Sequence, residues 1–220
     1  CALGAFLCAH IVFAVTQWQL ISIAFRNIGE VFSNLEILGQ FVNSIFGGMV
    51  FYGGLIGAVV AGYIYLSVKK YDKKAYADVL APCIPLFHAF GRVGCFLAGC
   101  CFGVEHEHGL VYEHSLIEEA NHVARLPIQL IEAGINILIM LLLVWLLVKP
   151  IKKGAIIWVY GTIYPVCRFI LEFWRGDVNR GFWGPFSTSQ WISLAIFTFS
   201  IIQLILIYKR KDERIDNTEK

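Results

Sequence analysis

The sequence predicts an all-α fold, a polytopic integral membrane helical bundle with about six transmembrane helices. Three observations carry this. Hydrophobic residues make up 58% of the 220-residue chain and charged residues only 15%, with a mean hydropathy of +0.67. The charges cluster, leaving runs of about 18 to 23 residues nearly free of them, the length at which a helix crosses ~30 Å of hydrocarbon. The basic residues between those runs are distributed one-sidedly, as the positive-inside rule requires of membrane proteins.

The first apolar run covers residues 1 to 18. Without an initiator Met, the chain is expected to start inside a longer protein. A signal peptide is not supported, because a basic n-region and a small-residue cleavage site are both missing. Gly4, Ala5, Cys8 and Ala9 are small enough for close helix contact in a membrane. Residues 20 to 44 mix Arg26, Glu30 and Glu36 with Ile28, Val31, Phe32, Leu35 and Leu38 at helical spacing. An interfacial amphipathic helix and an ordinary connecting loop both fit that pattern.

The second span, about Ile45 to Val68, is glycine-rich at its start and ends at Lys69, Lys70, Lys73 and Lys74. The third runs from about Val79 to Phe102. Pro82 and Pro85 predict a kink or break near its start, tolerable where the freed backbone is buried in protein. A polar loop at about 103–127 follows, with five glutamates and one arginine. The fourth, fifth and sixth spans cover about Pro127–Val148, Gly154–Trp174 and Gln190–Tyr208. Residues 1–208 read as a single transmembrane domain, and 209–220 as a charged, disordered tail.

Alternating the loops puts 12 Lys and Arg on one side and 4 on the other, with Arg92 and Arg168 inside spans. The basic side, with the C-terminus, is expected to be cytoplasmic and the 103–127 loop to face outward. Nucleic-acid binding has no support, since the basic residues flank spans rather than forming a patch.

With that orientation Tyr52, Arg92 and Arg168 fall at similar depth in the outer half of the membrane. A buried arginine costs about 2.5 to 3.5 kcal/mol on insertion scales, so each needs a partner. Tyr164, Arg168, Glu172 and Arg175 recur at steps of four, four and three and form one polar stripe on the fifth span. Gln129, Glu132 and Asn136 do the same on the fourth. Glu172 and Glu132 could neutralise Arg168 and Arg92 merely to hold the bundle together. Two arginines, two carboxylates, a tyrosine and glycine-rich approaches exceed what cohesion needs. The planar arginine fork binds phosphate bidentately and keeps its charge in low dielectric, so the set suits an anionic phospholipid headgroup.

Five motifs appear together: Phe51-Tyr-Gly-Gly-Leu55, Gly91-Arg-Val-Gly94 ending in Gly103, Arg125-Leu-Pro-Ile-Gln129 with Glu132, Tyr164-x3-Arg168-Phe-x2-Glu172-x2-Arg175, and Ser187-Thr-Ser-Gln190. In this order, over nearly the whole chain, they resemble the prolipoprotein diacylglyceryl transferases. The resemblance implies transfer of the diacylglyceryl group of phosphatidylglycerol to the lipobox cysteine of a preprolipoprotein signal peptide, releasing glycerol-1-phosphate. It also implies the bacterial plasma membrane, an active site toward the outer leaflet, no cofactor and no metal, and one N-terminal helix absent from this sequence. By position Arg92 and Arg168 would neutralise the departing phosphate, with Glu172 orienting Arg168. Tyr52, Gly53, Gly54, Gly91, Gly94, Cys95, Cys100, Gly103, Gln129, Glu132, Tyr164 and Arg175 would line the substrate site, Gly103 letting lipid or peptide backbone pass.

The chain departs from the family pattern at Tyr52, where a histidine is common, and at Cys95 and Cys100, where Asn and Glu are common. A phenol is a poor base at neutral pH but a good hydrogen-bond donor. His88, one turn before Arg92, could serve as base or be structural. Cys95, Cys100 and Cys101 read as small apolar packers, as a disulfide near the outer face, or, matching no familiar zinc spacing, as metal ligands with His106 and His108. The alternative function is a non-catalytic relative that binds phospholipid or transports an anionic solute, though no inverted repeat is visible.

Overall fold

The computed structural model describes residues 2–19, 22, 39, 41, 43, 51–115, 117–177 and 181–209, with the backbone alone for Phe51, Tyr52 and Leu55. The interfacial helix expected over residues 20 to 44 falls almost wholly outside the described residues, as do Arg26 and the tail beyond Lys209. Two compact units divide the chain, Cys1–Lys73 and Lys74–Lys220.

In the first unit α1 (Ala2–Thr16) packs on α2 (Phe51–Val68). Small residues set the spacing. A Cβ on Gly53 would lie 2.8 Å from the Cys8 carbonyl oxygen and from Val12 Cβ, and one on Gly57 would strike the Gly4 carbonyl and Cys8. Gly53, Gly57 and Ala61 thus face Gly4 and Cys8 as small residues four apart. Backbones approach this way in membranes, where van der Waals packing replaces the hydrophobic drive between helices. The close contact expected of α1 is borne out.

The second unit opens with α3 (Lys73–Leu80) and α4 (Cys83–Leu97). Pro82 stands at the start of α4 and Pro85 within its first turn, where a missing N–H costs nothing. The expected break therefore falls at Ala81–Pro82. The end differs from expectation: α4 stops at Leu97, not Phe102. Gly99 (φ +66) donates its N–H to the Phe96 carbonyl at 3.1 Å, and Cys100 to that of Cys95 at 3.0 Å. That glycine-centred stop closes the last turn with both orphan carbonyls satisfied.

The polar loop is not without regular structure. Its β1 (Glu105–Val111) pairs antiparallel with β2 (Ala124–Arg125), and a short 3-10 turn, Glu118–Ala120, lies between them. Helices α5 (Ile128–Leu147) and α6 (Ile156–Leu171) follow, the latter running into a 3-10 turn at Glu172–Trp174. The hairpin β3 (Phe182–Trp183) and β4 (Phe186–Ser187) leads into α7 (Thr188–Lys209).

By length and composition four stretches of the described residues can cross a membrane: Lys73–Leu97, Ile128–Leu147, Ile156–Trp174 and Thr188–Lys209; shorter apolar helices include Ala2–Thr16 and Ile56–Val68. Burial runs opposite to that of a water-soluble protein. Helix α5 buries Gln129, Glu132 and Asn136 while Leu138, Leu141 and Trp145 face outward. Such a pattern belongs to a bundle whose solvent is hydrocarbon. Ala81, Ile139, Leu143, Ile156 and Tyr160 form an apolar core where the α3–α4 break meets α5 and α6.

One buried charge fixes the start of α6. Asp78 on α3, 7% exposed, accepts hydrogen bonds from the backbone N–H of Gly154 (2.5 Å), Ile156 (2.9 Å) and Ile157 (3.3 Å). Ile156 and Ile157 open α6, where N–H groups lack helical partners and carry the positive end of its dipole, and Gly154 lies just before it.

Candidate functional site

Neighbouring helices each contribute one part of a polar cluster. Arg92 on α4 forms an ion pair through Nε with Glu132 Oε2 on α5 at 3.0 Å. Arg168 on α6 reaches the same oxygen from Nη1 at 3.5 Å, and Tyr164 donates its hydroxyl to Glu132 Oε1 at 3.1 Å. Arg168 Nη2 pairs with Glu172 Oε2 at 2.8 Å and lies 3.3 Å from Ser189 Oγ on α7. The structure thus brings together Arg92, Glu132, Tyr164, Arg168 and Glu172. One carboxylate, Glu132, is shared by both arginines and the phenol, an arrangement the pairing of one glutamate to each arginine did not anticipate.

Arg92 is the more accessible arginine, with 20% of its side chain at the surface against 11% for Arg168. A Cβ on Gly91 or Gly94 would meet nothing within 4 Å. These glycines, one residue before Arg92 and two after it, stand on a different face of α4 from the arginine and border open space among the described residues. The more exposed guanidinium of Arg92 is the one an oxyanion can reach in competition with Glu132.

Ser189 was missed as a site residue, although its signal lay in the Ser187–Gln190 motif. Gln190 Oε1 accepts the Ser187 N–H at 2.9 Å and Ser187 Oγ accepts the Gln190 N–H at 3.3 Å. This reciprocal cap starts α7 and places Ser189, one residue inside, beside Arg168. His88 is also accounted for. Its Nδ1 lies 2.8 Å from the Tyr160 hydroxyl, and its ring is 5.0 Å from that of Tyr164, which stacks on Tyr160. That favours the structural role over the base.

Several expected site residues have other employment. Arg175 does not continue the helical stripe. The helix tightens to 3-10 after Leu171, Arg175 is extended (φ −78, ψ 135), and its Nε and Nη2 grip Asp177 at 2.8 and 2.5 Å. Gln129 spends its amide nitrogen on the Cys100 carbonyl (2.7 Å) and the Tyr112 hydroxyl (3.0 Å), tying the end of α4 to α5. Gly53 and Gly54 lie against α1, and the side chain of Tyr52 lies outside the described residues.

Gly103 does admit a backbone, but it is the chain's own. Its N–H donates to Leu126 (3.1 Å), Val104 donates to Trp174 (2.9 Å), and Gly176 donates to Phe102 (3.0 Å). A Cβ would lie 2.5 Å from the Leu126 carbonyl oxygen and 3.1 Å from that of Trp174. Gly103→Ala is expected to cost about 1–3 kcal/mol, the range for overpacking, read as a lowered thermal midpoint in detergent.

Cys95 and Cys100 lie together at the end of α4. Both are free and partly buried, and burial, reinforced by the Cys101 and Cys95 thiols, pushes Cys100 up to about 12. Cys100 is a protonated thiol at neutral pH, and the thiolate is the reactive form.

A family model described as prolipoprotein diacylglyceryl transferase matches residues 2–206. Among curated relatives, the chain is similar to the phosphatidylglycerol–prolipoprotein diacylglyceryl transferase of Clostridium tetani, with 36% identity over 182 residues, 80% of this chain and 71% of that protein. A second such enzyme, of Clostridium perfringens, is 32% identical over 94% of this chain and 74% of its own length. That of Helicobacter acinonychis is 30% identical over 96% and 75%. With all five motifs in order along a helical membrane bundle, the chain belongs to the prolipoprotein diacylglyceryl transferase family.

Proposed function

We propose that the protein transfers the diacylglyceryl group of phosphatidylglycerol to the cysteine thiol of a prolipoprotein, releasing glycerol-1-phosphate. The observation that carries the proposal is the pair of arginines converging on Glu132. Arg92, the more accessible arginine, meets the phosphodiester first. Its guanidinium then exchanges part of its contact with Glu132 for the phosphate oxygens, and Arg168 follows. In the reaction the substrate sulfur forms a bond to the terminal glyceryl carbon of the diacylglycerol moiety. The bond from that carbon to the phosphate oxygen breaks, and the electron pair leaves on the phosphate. The thiol proton is lost to water or to the departing phosphate.

Most of the rate enhancement would come from neutralising charge on the leaving group with preorganised donors. Tyr164 and Glu172 act on Arg92 and Arg168 through Glu132 and directly, keeping the guanidiniums aimed while the phosphate is exchanged. The headgroup site would open to the outer leaflet, where the lipobox cysteine of a preprolipoprotein signal peptide emerges, with the C-terminus cytoplasmic. The excess of basic residues on the opposite side supports that orientation.

Arg168→Ala is expected to reduce turnover of phosphatidylglycerol and a lipobox peptide by about 100- to 1,000-fold, as for loss of one preorganised donor. Turnover is read as the thioether adduct by mass spectrometry. Unchanged turnover in a folded variant would remove Arg168 from the reaction, and no adduct from the intact enzyme would remove the activity.

A further inference from the structure

The turn that ends α4 assembles something the reaction does not use. Cys95 lies in the last turn of the helix, and the glycine-centred stop folds Cys100 back so that its N–H meets the Cys95 carbonyl at 3.0 Å. Cys101 then adopts a left-handed conformation (φ 58), unusual for a residue with a side chain. The outcome is three sulfur atoms all within 4.8 Å of one another, all free and partly accessible. Apolar packing alone needs no such convergence.

We propose that Cys95, Cys100 and Cys101 form a trigonal thiolate site for a soft, thiophilic cation of the Cu(I) or Zn(II) class. Thiolate ligands select such ions over hard cations, and metal–sulfur bonds of about 2.3 Å place three sulfurs around one ion with only small adjustment of this cluster. Each thiol that binds releases its proton to solvent, since the thiolate is the ligand. Three thiolates held this close repel one another, and a bound cation relieves that repulsion. The backbone is anchored as well, the Cys100 carbonyl by Gln129 and the Gly99 carbonyl by Ser115.

The test uses the full-length protein, reduced and held anaerobically in detergent. Cu(I) is supplied from a chromophoric chelator, and Zn(II) is supplied in a parallel sample. One metal per chain should be taken up, with release of protons and with loss of alkylation at Cys95, Cys100 and Cys101 by peptide mass spectrometry. Cys83, exposed on the other end of α4, should alkylate with or without metal and serves as the internal control. Cys100→Ser should lose uptake, and Cys167→Ser should keep it. Because protection is read on the unsubstituted protein, a variant that fails to fold leaves the test intact. Equal alkylation of the three thiols with and without either metal overturns the proposal. So does a Cys95–Cys100 disulfide that reforms in preference to metal uptake when the reductant is removed.

Discussion

Glu132→Gln is expected to abolish turnover and to destabilise the bundle by about 3–5 kcal/mol, the cost of removing one partner from a buried ion pair. The carboxylate is 2% exposed and receives Arg92, Arg168 and Tyr164. An amide keeps the shape but leaves two guanidiniums facing each other with Glu172 alone to offset them. Thermal unfolding in detergent measures the first loss and adduct formation the second. If the proposed headgroup role is right, added phosphatidylglycerol should raise the midpoint of the variant more than that of the unsubstituted protein, since a lipid phosphate then supplies the missing negative charge. A folded variant with full turnover would show that Glu132 neither aims nor neutralises the arginines.

The second large effect is expected far from that cluster. Asp78→Ala should cost about 3 kcal/mol, since unsatisfied buried donors cost about 1–3 kcal/mol each and three N–H groups at the start of α6 lose their acceptor. Asp78→Asn retains one acceptor oxygen and should recover part of that loss. The destabilisation would be seen in the thermal midpoint and in faster hydrogen exchange confined to Gly154, Ile156 and Ile157. Because α6 also carries Tyr164 and Arg168, turnover in the alanine variant should fall although Asp78 touches neither. Slow exchange at those three amides in Asp78→Ala would show that the cap is dispensable.

The helices were legible because each apolar run is bounded by charges, and a span needs nothing else to be recognised. Arg92, Arg168, Glu132 and Glu172 were legible for the complementary reason, that a charge inside such a run demands a partner. Sharing was not legible. Glu132 stands between two helices, and spacing along one helix, which did find the Arg168–Glu172 pair, carries no information across helices. Asp78 was invisible for the same reason: its partners are more than seventy residues away, and nearby lysines make it look like an ordinary flanking charge. The glycines divided in a way that only packing reveals. Gly53 and Gly103 are small because the chain's own backbone passes them, whereas Gly91 and Gly94 border open space among the described residues. Arg175 went astray because the stripe assumed 3.6 residues per turn through Glu172–Trp174, where the turn is tighter.

The pairing of charges also bears on how such a chain enters a bilayer. Synthesis runs from α4 and α5 to α6, so Arg92 and Glu132 emerge before Arg168 does. The first arginine can therefore leave the translocation machinery already matched to a carboxylate on the next helix, at 3.0 Å in the finished fold. The second brings its own carboxylate one turn along, in Glu172. Each arginine is thereby matched by one carboxylate, which offsets the insertion penalty of about 2.5–3.5 kcal/mol for a lone charge. The cluster then forms by sharing Glu132 between two pairs that were each matched beforehand.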